Sequence, residues 1–63
     1  MREKLLLIIK QTGSNQQQVA KAIGIHKSTL YNHVKGRANL GITKALRLAA
    51  FLDIPLEDIY VNN

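Results

Sequence analysis

The middle of the chain, residues 16–35, constrains the fold more than any other stretch. Gly24 stands between two apolar pairs, and within each pair the residues are four apart, as on one face of a helix. The pairs are Val19 with Ile23 and Leu30 with Val34. A glycine at the end of a helical pattern favours a left-handed C-terminal turn, a conformation that strains residues with a Cβ. The stretch therefore predicts a helix, a tight turn and a second helix.

The first of these helices carries a start signal. Asn15 has a side chain suited to accept a backbone N–H at a helix N-terminus, and Gln18 follows it at the spacing of a capping box. The pattern predicts helix two over about residues 16–23 and helix three over about residues 27–34. Ala20 lies where the helices must cross, and its small side chain permits a close approach.

The residues around this turn resemble the helix-turn-helix of the λ repressor and Cro-like family. The positions that carry the resemblance are Ala20, Gly24, Ile25 and Leu30, with Gln16 before them and residues 35–37 after them. Two positions depart from the family pattern: His33 stands where Leu or Ile is usual, and Val34 where many members have an acid that pairs with a basic residue on helix one. The resemblance covers nearly the whole chain and implies a compact five-helix DNA-binding domain.

The flanking segments fit one all-α domain over residues 1–63. Helix one is predicted from about residue 2 to 11, with Arg2 on its wet face, and helix four from about 40 to 52. Pro55 is expected at the first position of a last short helix that ends near Tyr60. The side chains expected to face inward from helix four are Ile42, Ala45, Leu46, Ala49 and Leu52.

The charge distribution points to a polyanionic partner. The net charge is +5, and no acidic residue occurs between Lys4 and Leu52. That acid-free region contains Lys4, Lys10, Lys21, Lys27, Lys35, Arg37, Lys44 and Arg47. A basic surface alone also occurs in proteins that bind no nucleic acid, but a basic surface centred on a helix-turn-helix pattern favours DNA.

Helix three supplies the residues predicted to read bases. If Leu30 points inward, Ser28 and Asn32 point away from the core, with Tyr31 beside them and Lys27 at the N-terminal tip. Ser, Lys and Asn side chains can each hydrogen-bond base edges in the major groove. The resemblance implies the same role for Lys27, Ser28 and Asn32. The plainer interpretation is that any exposed helix face is polar.

A second set of residues is predicted to bind DNA phosphates. Gln16 opens helix two, where free backbone amides and the helix dipole favour anions, and the family match implies the same role. Lys35, Arg37 and Asn39 follow helix three and are placed to hold the other side of the groove.

The C-terminal segment is the candidate dimer interface. It holds more apolar surface than a short terminal helix can bury, and the λ-like proteins that the chain resembles commonly pair through this part of the chain. The predicted interface residues are Phe51, Ile54, Ile59, Tyr60 and Val61. The alternative is that these side chains complete a thin core.

Other function classes find little support. The chain has no cysteine, and His26 and His33 lie seven residues apart without a third ligand nearby, so we expect no metal or other cofactor. No nucleophile, base and orienting acid occur together, which argues against an enzyme. The longest apolar run, residues 5–9, is too short to cross a membrane. We expect a cytoplasmic location and no small-molecule effector.

These observations predict a sequence-specific double-stranded DNA-binding transcriptional regulator. The expected form is a Cro-like or minimal repressor that occludes a promoter by binding a pseudo-palindromic operator as a homodimer. Two alternatives stay open: a protein-interaction module of the same fold, similar to an antitoxin or anti-repressor, and a non-specific nucleic-acid binder.

Overall fold

A computed structural model of the chain describes residues 1–62. Its elements are α1 Glu3–Gln11, α2 Gln16–Ala22, α3 Lys27–Lys35, α4 Ile42–Leu52 and a 3₁₀ turn Leu56–Ile59. The all-α prediction agrees with these residues, which contain no strand, but the fifth helix is a single 3₁₀ turn. Pro55 caps that turn from outside and is not its first residue.

Helix α4 begins at Ile42, two residues later than predicted. The reason is that Leu40 uses its backbone in tertiary hydrogen bonds. Its N–H donates to His33 Nδ1 at 3.0 Å, and its carbonyl accepts from the Tyr60 hydroxyl at 2.9 Å. Gly41 then serves as the N-cap residue of the helix.

The core is formed where the apolar stripes of the four helices meet. Its fully buried large side chains are Leu5, Ile9, Val19, Leu30, Val34, Leu48 and Ile59. On α4 the inward stripe is Ala45, Leu48, Ala49 and Leu52. The expectation that Ile42 and Leu46 face inward is wrong, because that stripe leaves them on the flank, 57% and 52% exposed.

Arg2 also lies in an unexpected environment. It was predicted on the wet face of helix one, but it precedes α1 and is buried. Its guanidinium donates to the carbonyl of His33 at 2.5 Å and to Asn39 Oδ1 at 2.5 Å. Its backbone N–H donates to the carbonyl of Val34 at 2.7 Å. Arg2 thus satisfies carbonyls at the C-terminal end of α3, where the helix dipole favours a cation.

His33 is the second polar residue in the core, with no exposed surface. Its Nε2 lies 2.7 Å from the Ile59 carbonyl, and its Nδ1 accepts from Leu40, so the neutral ring carries its proton on Nε2. Tyr60 packs edge-on against the ring, with centroids 5.6 Å apart. Burial lowers the pKa of His33, the nearby Arg2 charge lowers it further, and the bond to Ile59 opposes both.

The candidate dimer residues separate into three groups by burial. Ile59 is fully buried and makes no surface, so its place in the predicted interface is wrong. Ile54 and Tyr60 are half-buried and pack against the core, and Val61 is also half-buried. Phe51 is 47% exposed.

Candidate nucleic-acid interface

The turn between α2 and α3 fixes how the second helix is presented. Gly24 adopts φ +76°, and its N–H donates to the Lys21 carbonyl at 3.2 Å. The next N–H, from Ile25, donates to the Ala20 carbonyl at 3.0 Å. This pair of bonds is the Schellman motif, which ends a helix and redirects the chain in one step. A Cβ at Gly24 would meet no atom within 4 Å, so the requirement for glycine comes from the backbone angle.

The N-terminus of α2 is capped as the sequence predicted. Gln18 N–H donates to Asn15 Oδ1 at 2.8 Å, and Asn15 N–H donates to Gln18 Oε1 at 2.9 Å. The backbone amides of Gln16 and Gln17 precede the first intrahelical bond and have no acceptor within the helix. Gln16 Oε1 is buried without a hydrogen-bond partner among the described residues. Any donation from this side chain to an anion therefore comes from Nε2.

The structure brings four of the predicted contact residues into one groove. Gln16 from α2 and Lys27, Ser28 and Tyr31 from α3 line it together, and Lys10 from the end of α1 lies along the same groove. Lys27 and Ser28 are exposed, and Tyr31 is 43% exposed. The N-terminus of α2 and the N-terminal residues of α3 thus share one concave surface.

The remaining predicted contacts lie outside this groove. Asn32 is half-buried on α3, one position beyond Tyr31. Lys35 is half-buried at the end of the helix, with its ammonium 5.4 Å from the centroid of the Tyr31 ring. That cation–π contact holds the lysine beside the exposed face of the helix.

The loop after α3 carries Arg37 and Asn39, and both are exposed. Gly36 starts the loop at φ +79°, and the Arg37 N–H donates a hydrogen bond to the Asn32 carbonyl at 3.0 Å. Arg2 holds Asn39 through its Oδ1. The amide nitrogen of Asn39 is therefore the part of that side chain suited to a phosphate. Sequence reasoning missed Arg2 because its contacts span more than thirty residues of chain.

His26 lies immediately before the predicted start of helix three. It is the N-cap residue of α3, and its Nδ1 accepts the Ser28 N–H at 3.1 Å. The same Nδ1 lies 2.7 Å from Ser28 Oγ. The signal was present in the sequence, because His26 occupies the cap position immediately before the helical pattern. Histidine is simply uncommon there compared with Ser, Thr, Asp and Asn.

The exposed charged side chains around the groove and on the loop after α3 are cations. Lys10, Lys27 and Arg37 are exposed, and no acid lies on α2, α3 or the loop that follows. The acid Asp58 is instead 3.6 Å from the Lys4 ammonium on α1. The exposed charges around the groove are therefore positive, which suits an oxygen-rich polyanion.

Two further observations bear on other kinds of site. Within residues 1–62, no three His, Cys, Asp or Glu side chains are grouped so as to hold a metal ion. No helix in the same part of the chain has the length and apolar character needed to cross a membrane.

Comparison with known proteins identifies a family. The helix-turn-helix family model matches residues 5–59, from the middle of α1 to the end of the 3₁₀ turn. Neither the curated proteins nor the solved structures contain a significant match to the chain. The family match covers the groove, the α2–α3 turn and the loop after α3.

Proposed function

The chain belongs to the λ repressor and Cro-like helix-turn-helix family of DNA-binding regulators, and on that basis we propose that it is a sequence-specific transcriptional repressor. In this proposal α3 enters the major groove of an operator, and the bound protein blocks access of polymerase to the promoter. The protein acts in the cytoplasm on the nucleoid, without a cofactor. The family is one of regulators and is not typically enzymatic.

The observation that carries the proposal is the shared groove of α2 and α3. Gln16 and Gln17 offer free amides at a helix N-terminus, which suits a phosphate, while Lys27 and Ser28 offer side chains to base edges beside it. Phosphate contacts set the position of a protein on a duplex, and base contacts set its sequence preference. Both kinds of group lie on one surface here.

Salt dependence tests the phosphate contacts. We expect the binding constant for a duplex to fall steeply with salt, with a logarithmic slope of about 0.9 per phosphate neutralised. Arg37→Ala should remove one phosphate contact and so reduce that slope by about 0.9. Lys4→Ala is the matched control: it removes the same charge from a lysine that already faces Asp58, and it should leave the slope unchanged.

Selection from random-sequence duplexes separates the proposal from its alternatives. A repressor enriches one motif, and Asn32→Ala should cost about 1–3 kcal/mol on that motif while changing the affinity for unrelated duplexes little. A non-specific nucleic-acid binder would enrich no motif. A protein-interaction module would show no salt-dependent duplex binding at all.

We also propose that the operator is bound by a symmetric dimer, because one helix-turn-helix contacts few base pairs. Two copies related by a two-fold axis place their α3 helices about 34 Å apart on a pseudo-palindrome. Phe51 is the most exposed apolar side chain of the C-terminal candidates, and half-buried Ile54 and Val61 follow it along the chain.

A matched pair of variants on α4 tests this surface. Phe51→Asp should abolish self-association in sedimentation experiments and weaken operator binding strongly. Leu46 is similarly exposed and five residues away, about 140° around the helix, so Leu46→Asp should change neither measurement. Equal behaviour of the two variants would contradict the proposed interface.

A further inference from the structure

His26 and Ser28 contact each other at the N-terminus of α3. His26 Nδ1 has two neighbours on Ser28: the backbone N–H at 3.1 Å and the side-chain Oγ at 2.7 Å. Both residues are exposed and lie at the end of α3 that enters the proposed major-groove interface. The orientation of the Ser28 hydroxyl is therefore set beside the DNA.

The hydrogen bond from the Ser28 backbone fixes the tautomer of the neutral His26 ring. A backbone N–H can only donate, so Nδ1 must present its lone pair to Ser28, and the neutral imidazole carries its proton on Nε2. The second contact of Nδ1 is then decided as well. Because Nδ1 has no hydrogen, the Ser28 hydroxyl must be the donor in the 2.7 Å contact.

This assignment removes the usual ambiguity of a serine. A free hydroxyl can donate or accept, and so it distinguishes bases poorly. A hydroxyl whose hydrogen is committed to His26 can offer only its lone pairs to DNA. In the major groove the groups that donate to such an acceptor are the N6 amino group of adenine and the N4 amino group of cytosine.

We propose that His26 is a positioning residue for specificity: it holds Ser28 as a hydrogen-bond acceptor, so that α3 prefers a base with an exocyclic amino group at the position opposite Ser28. The inference rests on the proposed function, since it requires α3 to lie in the major groove. It adds the chemical class of one base in the operator and names the residue that sets it.

The acceptor role is tested with duplexes selected by the wild-type protein. The first step locates the operator position at which the Ser28→Ala variant loses the base preference of the wild type. Its adenine or cytosine is then replaced by the analogue that lacks the amino group, purine or pyrimidin-2-one. We expect this deletion to weaken wild-type binding roughly fivefold to tenfold and to leave Ser28→Ala binding unchanged, because both changes remove the same hydrogen bond.

The positioning role of His26 is tested with two variants. His26→Gly removes the acceptor, and glycine is a tolerated N-cap, so the hydroxyl becomes free to donate while the helix start is preserved. We expect binding to rise about fivefold on duplexes that present guanine O6 or thymine O4 at that position. His26→Asn retains an acceptor for Ser28 and should keep the wild-type preference. A general weakening of α3 would lower binding to every duplex and cannot produce such a gain.

The possible failures are distinguishable. Absence of any enriched motif would reject the proposed function and this inference with it. An enriched motif whose amino-group deletion costs wild type and Ser28→Ala equally would reject the acceptor role while leaving the repressor intact. An unchanged base preference in His26→Gly would reject the role of His26.

Discussion

His26 and His33 stand near opposite ends of α3 and are held by the same chemistry in different surroundings. Each accepts a backbone N–H on Nδ1, from Ser28 in one case and Leu40 in the other. His26 is exposed, and its ring contacts the side chain of Ser28. His33 has no exposed surface and also contacts the Ile59 carbonyl and Arg2.

The two ends of α3 therefore serve different purposes. The C-terminal end of α3 is tied to the chain start, to the loop before α4 and to the 3₁₀ turn through one buried imidazole. The N-terminal end is capped by a side chain that solvent reaches. Loss of the buried ring must disturb several elements at once, whereas loss of the exposed ring disturbs one cap and one hydroxyl.

The largest expected effect separates the two histidines by stability. His33→Ala should reduce the free energy of unfolding by about 3–5 kcal/mol, because it leaves a cavity and strips partners from Leu40, Ile59 and Arg2. His26→Ala removes only an N-cap and should cost about 1 kcal/mol. Urea denaturation followed by circular dichroism measures both.

If His33 did not organise the C-terminal end of α3, His33→Ala and His26→Ala would reduce the free energy of unfolding by similar amounts. His33→Gln refines the measurement, because its amide can donate and accept and should recover part of the loss. Leucine has no hydrogen-bonding groups in its side chain. If His33→Leu recovered the full free energy of unfolding, the role of the ring would be only to fill space.

The features that could be predicted from sequence are those set by neighbouring residues. The capping box of Asn15 and Gln18 and the turn at Gly24 agree with the structure because their hydrogen bonds close within a few residues. The family assignment made from that turn was also confirmed.

The features that were missed depend on distant contacts. Nothing near Arg2 in the sequence indicates that its guanidinium reaches the end of α3, and the start of α4 was placed early because Leu40 bonds to His33 and Tyr60. Ile42 and Leu46 follow the helical period but lie on an exposed flank of α4. The assignment of particular residues to bases and phosphates stays a prediction.

The smallest expected effect is the dependence of stability on pH. Burial lowers the pKa of His33, so the folded protein resists protonation at this ring. The pKa of a histidine in an unfolded chain is about 6.5. Above that pH both states are neutral and stability is unaffected; below it the unfolded chain binds a proton that the folded chain does not, and stability falls. The slope cannot exceed about 1.4 kcal/mol per pH unit for one site, and it ends when the pH reaches the folded pKa.

The measurement is a series of urea denaturations between about pH 7.5 and pH 5, in a His26→Asn background, so that His33 is the remaining histidine and the α3 cap is retained. We expect stability to decline on acidification below about pH 6.5. Adding His33→Gln should flatten this part of the profile, although that protein is less stable throughout. The charged group facing the ring is Arg2, whose repulsion opposes an imidazolium and acts in the same direction as burial. A slope that survives His33→Gln would place the acid sensitivity elsewhere, and a flat profile in the background protein would mean that the buried ring accepts a proton without cost.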